Sequence, residues 1–251
     1  MNDLLGLSPG VAAFAVCACF LAGAVRGFAG FGLSALAMAM LAVAIPPIQL
    51  IPVFWFLEMS ASVILMKGGW ADADRRTALT LILASSIGLP LGLLISLAID
   101  PVASKTAALS VLIVLALAQL MRLRLPILAT GPGTAATGLS AGIITGIAGA
   151  GGMLIALYAM VRDLPARRMR GTLNIYMLGA GCIGLMTHLL VGTMTAQSAT
   201  RGVLLILPTL AGVFLGKALF TPRWEGYYKP VCLTLLIGLA TVGLIRLGVG
   251  A

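Results

Sequence analysis

The stretch GAVRGFAGFG, residues 23–32, sets one arginine and four glycines inside a run that otherwise has the make-up of a membrane-spanning helix. Glycine weakens a helix interior and permits the positive φ of a tight reversal. A charge at membrane depth is costly enough to mark a functional group or an obligatory partner. The two together predict that the chain turns back inside the bilayer here instead of crossing it.

The rest of the chain has the composition of an integral membrane protein. Of 251 residues 61% are hydrophobic and 9% charged, against roughly 25% charged in a soluble domain, and the mean hydropathy is +1.13. Charge-free runs cover 27–57 and 125–161, each longer than the roughly 20 residues that one spanning helix needs. Six further segments are of single-span size: 48–66, 77–99, 106–121, 171–192, 202–220 and 230–245. Residues 1–10 hold Asp3 as their one charge, without the basic start of a signal peptide, so the first apolar run is expected to stay in the protein.

The opening motif returns 119 residues later. AGAVRGFAGFG at 22–32 lies over AGIITGIAGAG at 141–151 with six of eleven positions identical, and Pro46 falls on Pro165 at the same offset. This predicts a duplication, with halves 1–125 and 126–251. Each half reads as a glycine-broken segment followed by three ordinary spans.

Counting basic residues separates two topologies. If both broken segments cross, Lys and Arg divide seven against eight between the faces. If both dip and return, one face collects twelve (Lys67, Arg75, Arg76, Arg122, Arg124, Arg162, Arg167, Arg168, Arg170, Lys217, Arg223, Lys229) and the other three (Lys105, Arg201, Arg246), leaving Arg26 at the first tip. The second division carries the positive-inside bias and is preferred. Three crossings per half then insert the second half upside down, with both termini outside. The expected fold is all-α: an inverted repeat in which each half is a re-entrant helical hairpin followed by three transmembrane helices. The arms expected for the first hairpin, 13–25 and 33–45, are each about 20 Å long at 1.5 Å per residue; those of the second, 134–145 and 153–161, are similarly short.

Backbone polar groups at such a reversal find no partner in lipid, so the tips are expected to meet inside the protein. The returning arms aim helix N-termini at that volume, which suits an anion, and the Arg26 guanidinium adds a fork of donors for an oxyanion. The candidate substrate-binding residues are Arg26, Gly27, Phe28, Gly30, Gly32 and Ser34 at the first tip, Thr145, Gly146, Gly149, Gly151 and Gly152 at the second, and Asn174, whose amide sits in the region of the second half that corresponds to Glu58. The competing use of the glycines is close helix packing of the small-xxx-small kind. Glu58, about 18 Å into its helix, is a candidate proton carrier or a partner for Arg26 in the empty site. His188 is a second proton-coupling candidate, expected beside the far membrane surface. Gln119, Thr172 and Tyr176 are weaker lining candidates, and Trp70, Trp224, Tyr227 and Tyr228 read as interfacial anchors.

Several functions are excluded. The basic residues flank apolar segments, as topology requires, so the net charge of +9 does not point to nucleic acid. Cys17, Cys19, Cys182 and Cys232 lack metal-ligand spacing, and neither a metal nor another cofactor is expected. GFGLSA at 30–35 matches a dinucleotide fingerprint in letters only, without its strand-turn-helix setting. An intramembrane serine protease needs a serine motif paired with histidine, and the single histidine, His188, has no such companion; no enzyme is expected. A homodimer stays open, since membrane carriers often pair.

With the glycine tips, Pro46 and Pro165, and RGTLNIYMLGAGCIGLMTHLLVG at 170–192 in view, the sequence resembles the TauE/SafE family of sulfite and organosulfonate exporters over nearly its whole length. Gly171-Thr172 at the start of a span, with His188 and Gly192 near its end, adds to the likeness. The resemblance implies a bacterial inner-membrane carrier that moves sulfite, sulfoacetate or a related small anion outward without hydrolysing ATP. An anion channel and a non-transporting scaffold subunit are the alternatives.

Overall fold

A computed structural model describes residues 6–66, 73–123, 128, 130–162, 166–219 and 225–249. Lys67, Trp70, Arg124, Pro165, Arg223 and Trp224 lie outside the described residues, as do the boundary proposed between the halves and the side chains of Arg167, Arg170, Tyr227, Tyr228 and Lys229.

The described residues form ten α-helices and no strand: α1 Pro9–Ala29, α2 Leu33–Leu41, α3 Pro47–Leu65, α4 Arg75–Ala98, α5 Pro101–Leu120, α6 Gly131–Ala148, α7 Gly151–Val161, α8 Ala166–Val191, α9 Ala196–Leu219 and α10 Glu225–Val249. Local chemistry starts them. Proline opens α1, α3 and α5, where its missing N–H costs nothing. Side chains of Asp74, Asp100 and Thr130 accept from first-turn N–H groups of α4, α5 and α6.

Seven of these helices are long and apolar enough to cross a membrane. Six answer to the expected spans; the seventh is α1. Its 21 residues give about 31 Å, where a 13-residue arm was expected. The helix runs on through Arg26 because folded-back partners satisfy that charge, and it stops only where Gly30 takes φ 82°. Likewise α6 has 18 residues and ends at Gly149, φ 65°. The return arms are short as expected: α2 has 9 residues and α7 has 11, about 14 and 17 Å. Each hairpin is therefore a long arm and a half-length arm joined by left-handed glycines.

Glycine also seams the bundle. A Cβ on Gly23 or Gly27 of α1 would run into the carbonyls of Thr209 and Val213 of α9, and one on Gly212 or Gly216 would strike Phe20 and Ala24 of α1. A second seam has the same design: Gly88 and Gly92 of α4 face the carbonyls of Leu139 and Ile143 in α6, and Gly142 faces that of Ser85. These backbones touch because no side chain intervenes, which is how small residues hold helices together where lipid supplies no hydrophobic drive. The helix pairings match in chain order: α1 packs on α9 as α6 packs on α4, and α3 packs on α9 as α8 packs on α4.

Side-chain contacts tie down the hairpin mouths. Arg201 donates to Gln49 Oε1 at 3.2 Å and to the Gly6 carbonyl at 3.3 Å, so the chain before α1 and the start of α3 lie together beside the start of α9. Lys105, at the start of α5, donates to the Val43 carbonyl in the same neighbourhood. In the second hairpin Thr134 and Tyr158 share a hydrogen bond of 2.8 Å. Arg162 and Arg168 each come within 3.8 Å of Asp74, which places that mouth beside the start of α4. Large aliphatic side chains such as Leu190 and Leu207, 87% and 78% exposed, form the outer wall, which suits contact with hydrocarbon.

Candidate functional site

The charge carried within α1 is fully enclosed: Arg26 is 1% exposed. Its Nη1 donates to the Gly30 carbonyl at the turn, its Nη2 donates to Ser62 Oγ at 3.0 Å, and its Nε lies 3.4 Å from Glu58 Oε2. Glu58 thus meets the arginine from α3, as one of the two roles read from sequence requires. Its other oxygen, Oε1, accepts from the Ser34 backbone N–H at 3.2 Å and from the Ser34 hydroxyl at 2.9 Å. Ser34 is the second residue of α2, so the carboxylate occupies the positive end of the return helix. Neither Arg26 Nε nor Glu58 Oε2 has a hydrogen-bond partner; they hold each other by charge.

Glu58 forms part of the wall of an open-mouthed cavity. Both hairpins reach it: Ser34 from the first, and Thr145, Gly149 and Gly152 from the second. Tyr176 and His188 of α8 contribute polar groups, while Ile51, Phe54, Met59 and Leu89 make much of the remainder apolar. An apolar hollow with a few convergent polar groups is the usual form of a small-ligand site. Gly152, in the first turn of α7, has no side chain of its own to shield this second helix start, and the tip of the flexible Met177 side chain lies over it. Gly32 and Met153 also flank a smaller apolar cleft against α10.

Of the residues singled out in the sequence, Ser34, Glu58, Thr145, Gly149, Gly152, Tyr176 and His188 come together on the cavity. The others stand elsewhere. Arg26 sits behind Glu58 and Ser34, and Phe28 is buried. Gly30 and Gly32, at φ 82° and 89°, make the first reversal. Gly27 and Gly146 belong to the two glycine seams, the packing use weighed against binding, and Gly151 leaves room for Thr145 and the Ala141 carbonyl. Asn174 donates to the Ser62 carbonyl at 3.1 Å, linking α8 to α3, which is its competing interhelical use. Thr145 returns its hydroxyl hydrogen bond to Ala141 one turn back. Gln119 donates to the Met153 carbonyl and Thr172 accepts from the Asp74 N–H.

His188, in the last turn of α8, is 3% exposed, with Nδ1 2.8 Å from Thr193 Oγ1. The turn after α8 folds back over the ring, which helical counting cannot foresee. The cavity also holds residues that the sequence reading passed over: Trp55, Ser85, Ser86 and Gly181. Trp55 precedes Glu58 by three residues and so shares its helix face, and its Nε1 donates to the Gly181 carbonyl at 2.7 Å. Gly181 and Gly184, three residues apart and so on one face of α8, both line the cavity and were a legible signal that this face was being kept clear.

No curated protein and no solved structure matches the chain. A scan against protein-family models does: the model described as Sulfite exporter TauE/SafE matches residues 15–242, a span that includes both glycine reversals and every wall residue of the cavity. The chain is therefore a membrane protein of the TauE/SafE sulfite exporter family.

Proposed function

We propose that the chain is a secondary transporter that carries sulfite, an organosulfonate such as sulfoacetate, or a similar small anion out across the bacterial inner membrane. The observation that carries this reading is the common cavity onto which both half-length helices open, with Ser34 and Gly152 at their first turns. Helix starts of this kind present free N–H groups and a positive dipole end to an oxyanion. The splayed oxygens of a pyramidal sulfite or of a sulfonate head match divergent donors from two sides, and the apolar remainder of the wall suits a short organic tail.

In this reading residues 1–125 and 126–251 are inverted repeats. The exchange of helix partners between halves and the two hairpin mouths, one held by Arg201 and one beside Asp74, support it. Alternating access follows if one glycine-seamed unit rocks against the other about the cavity. The wider basic face is cytoplasmic, and both termini are periplasmic.

The test is efflux of radiolabelled sulfite from proteoliposomes. Saturable efflux, accelerated by unlabelled sulfite or methanesulfonate on the opposite side, is the expected result. Non-saturable flux without exchange acceleration would make the protein a channel. No flux and no binding of either anion would leave a scaffold subunit.

A further inference from the structure

The donors that a substrate anion would use at the first hairpin are already taken. Ser34 N–H and Ser34 hydroxyl both point to Glu58 Oε1, and Arg26 Nε faces Oε2. Building on the transport reading above, we infer that the Glu58 carboxylate is a tethered anion held in the substrate site, and that a monovalent anion enters only together with the proton that neutralises Glu58.

The argument is one of charge. Arg26 is 1% exposed and permanently positive, and a buried charge persists only when paired. Glu58 supplies that pair while the site is empty. If an anion arrived with Glu58 still ionised, one cation would face two anions in a hollow lined by Ile51, Phe54, Met59 and Leu89, where little water is at hand to stabilise the excess charge. If Glu58 first takes a proton from cavity water, its carboxyl is neutral and turns into the cavity whose wall it already forms. The Ser34 N–H, the Ser34 hydroxyl and Arg26 Nε are then free for the incoming anion. The site goes from Arg⁺ with carboxylate to Arg⁺ with substrate anion, and its net charge is unchanged. One proton enters with each monovalent anion.

The groups that face Glu58 allow this assignment. Arg26 approaches from α1, and Tyr176 and His188 share the cavity from α8. Among the described residues α4 and α6 bring only the hydroxyls of Ser85, Ser86 and Thr145. On α9, Arg201 engages Gln49, nine residues earlier in α3. Among the described residues Glu58 is the one acidic group on the cavity wall.

The probe is methanesulfonate, which stays ionised at every pH the protein survives, so that any proton taken up belongs to the protein. Binding is followed in weakly buffered detergent solution with a pH indicator. Wild type is expected to take up about one proton per anion bound, and its affinity should fall about tenfold per pH unit where the carboxyl is ionised in the empty site. Glu58→Gln should bind without proton uptake, more tightly than wild type at alkaline pH, and with an affinity indifferent to pH. His188→Gln should keep the uptake. Anion binding by wild type with no proton uptake would overturn the inference, a measurement that needs no variant to fold. Uptake that survives Glu58→Gln but is lost in His188→Gln would overturn it as well. Failure of wild type and Glu58→Gln alike to bind either methanesulfonate or sulfite would instead remove the transport reading, and this inference with it.

Discussion

Glu58 and Ser34 are joined twice: one carboxylate oxygen accepts both the backbone N–H of Ser34, at 3.2 Å, and its hydroxyl, at 2.9 Å. A helix start inside a membrane protein therefore has its anion built in. The same carboxylate is the counter-ion of Arg26 at 3.4 Å, so removing it leaves a buried arginine unpaired, and removing the arginine leaves the carboxylate, 16% exposed, unpaired at the cavity wall.

The first prediction is for that pair. Arg26→Gln is expected to destabilise the protein by about 3 kcal/mol, the scale for stranding one member of a buried pair. Arg26→Gln combined with Glu58→Gln should regain much of that loss, since two neutral amides can bond to each other. Unfolding by SDS titration of the purified protein, run as a double-mutant cycle, measures the coupling; additive losses would mean that the two charges do not stabilise each other.

Glycine seams are more sensitive than their composition suggests. Gly27→Ala and Gly92→Ala each push a methyl group into a neighbouring carbonyl, that of Val213 or Ile143, and backbone cannot yield as a side chain can. A loss of about 1–3 kcal/mol is expected for each. Gly10→Ala, where a Cβ meets nothing within 4 Å, should be neutral or stabilising. Melting temperatures in detergent compare the three.

Gly152 should behave differently from the seam glycines. The obstacle to a Cβ there is the terminal methyl of Met177, the end of a flexible side chain. Gly152→Val is therefore expected to fold and reach the membrane at wild-type levels while sulfite efflux falls at least tenfold, a loss of about 1.4 kcal/mol. Normal efflux from correctly folded Gly152→Val would remove the α7 start from the anion path.

Asp74 sets a pH dependence on the other side of the molecule. Burial acts to raise its carboxyl, but hydrogen bonds from the Thr77 backbone and side chain, then the charges of Arg168 and Arg162, bring it below the ordinary value of 3.8. A depressed carboxyl stabilises the fold fully above that unfolded value, and the contribution is lost as pH falls through the lower folded one. Asp74→Asn keeps a good cap but loses the ion pairs. Because Arg162 and Arg168 are 31% and 51% exposed, that loss should be at most about 1 kcal/mol near neutral pH. It should vanish in acid well below 3.8. Asp74→Ala, which also gives up the cap to Thr77, should cost about 1 kcal/mol more. Melting curves of the three proteins from neutral to acid pH check the order.

Much of this protein was legible before any coordinates. Hydropathy alone separates spans from soluble structure, because an 18-residue apolar run has few other fates, and the six expected spans all appear as helices. The two reversals were also legible: Gly30 and Gly149 carry the positive φ that the repeated motif called for, a local constraint written in local residues. What the sequence could not decide is which glycine does what. Gly27 and Gly30 look alike in the motif, yet one seats the carbonyl of Val213 and the other turns the chain. That division depends on which helix lies across the way, and Val213 is 186 positions distant. The same holds at the site. That Arg26 and Glu58 belong together could be argued from the cost of buried charge. That Ser34 also binds Glu58, that His188 is folded under Thr193 and that Trp55 braces α8 at Gly181 were settled only by packing between helices far apart in the chain, because each such contact is a meeting of surfaces that no local run of residues contains.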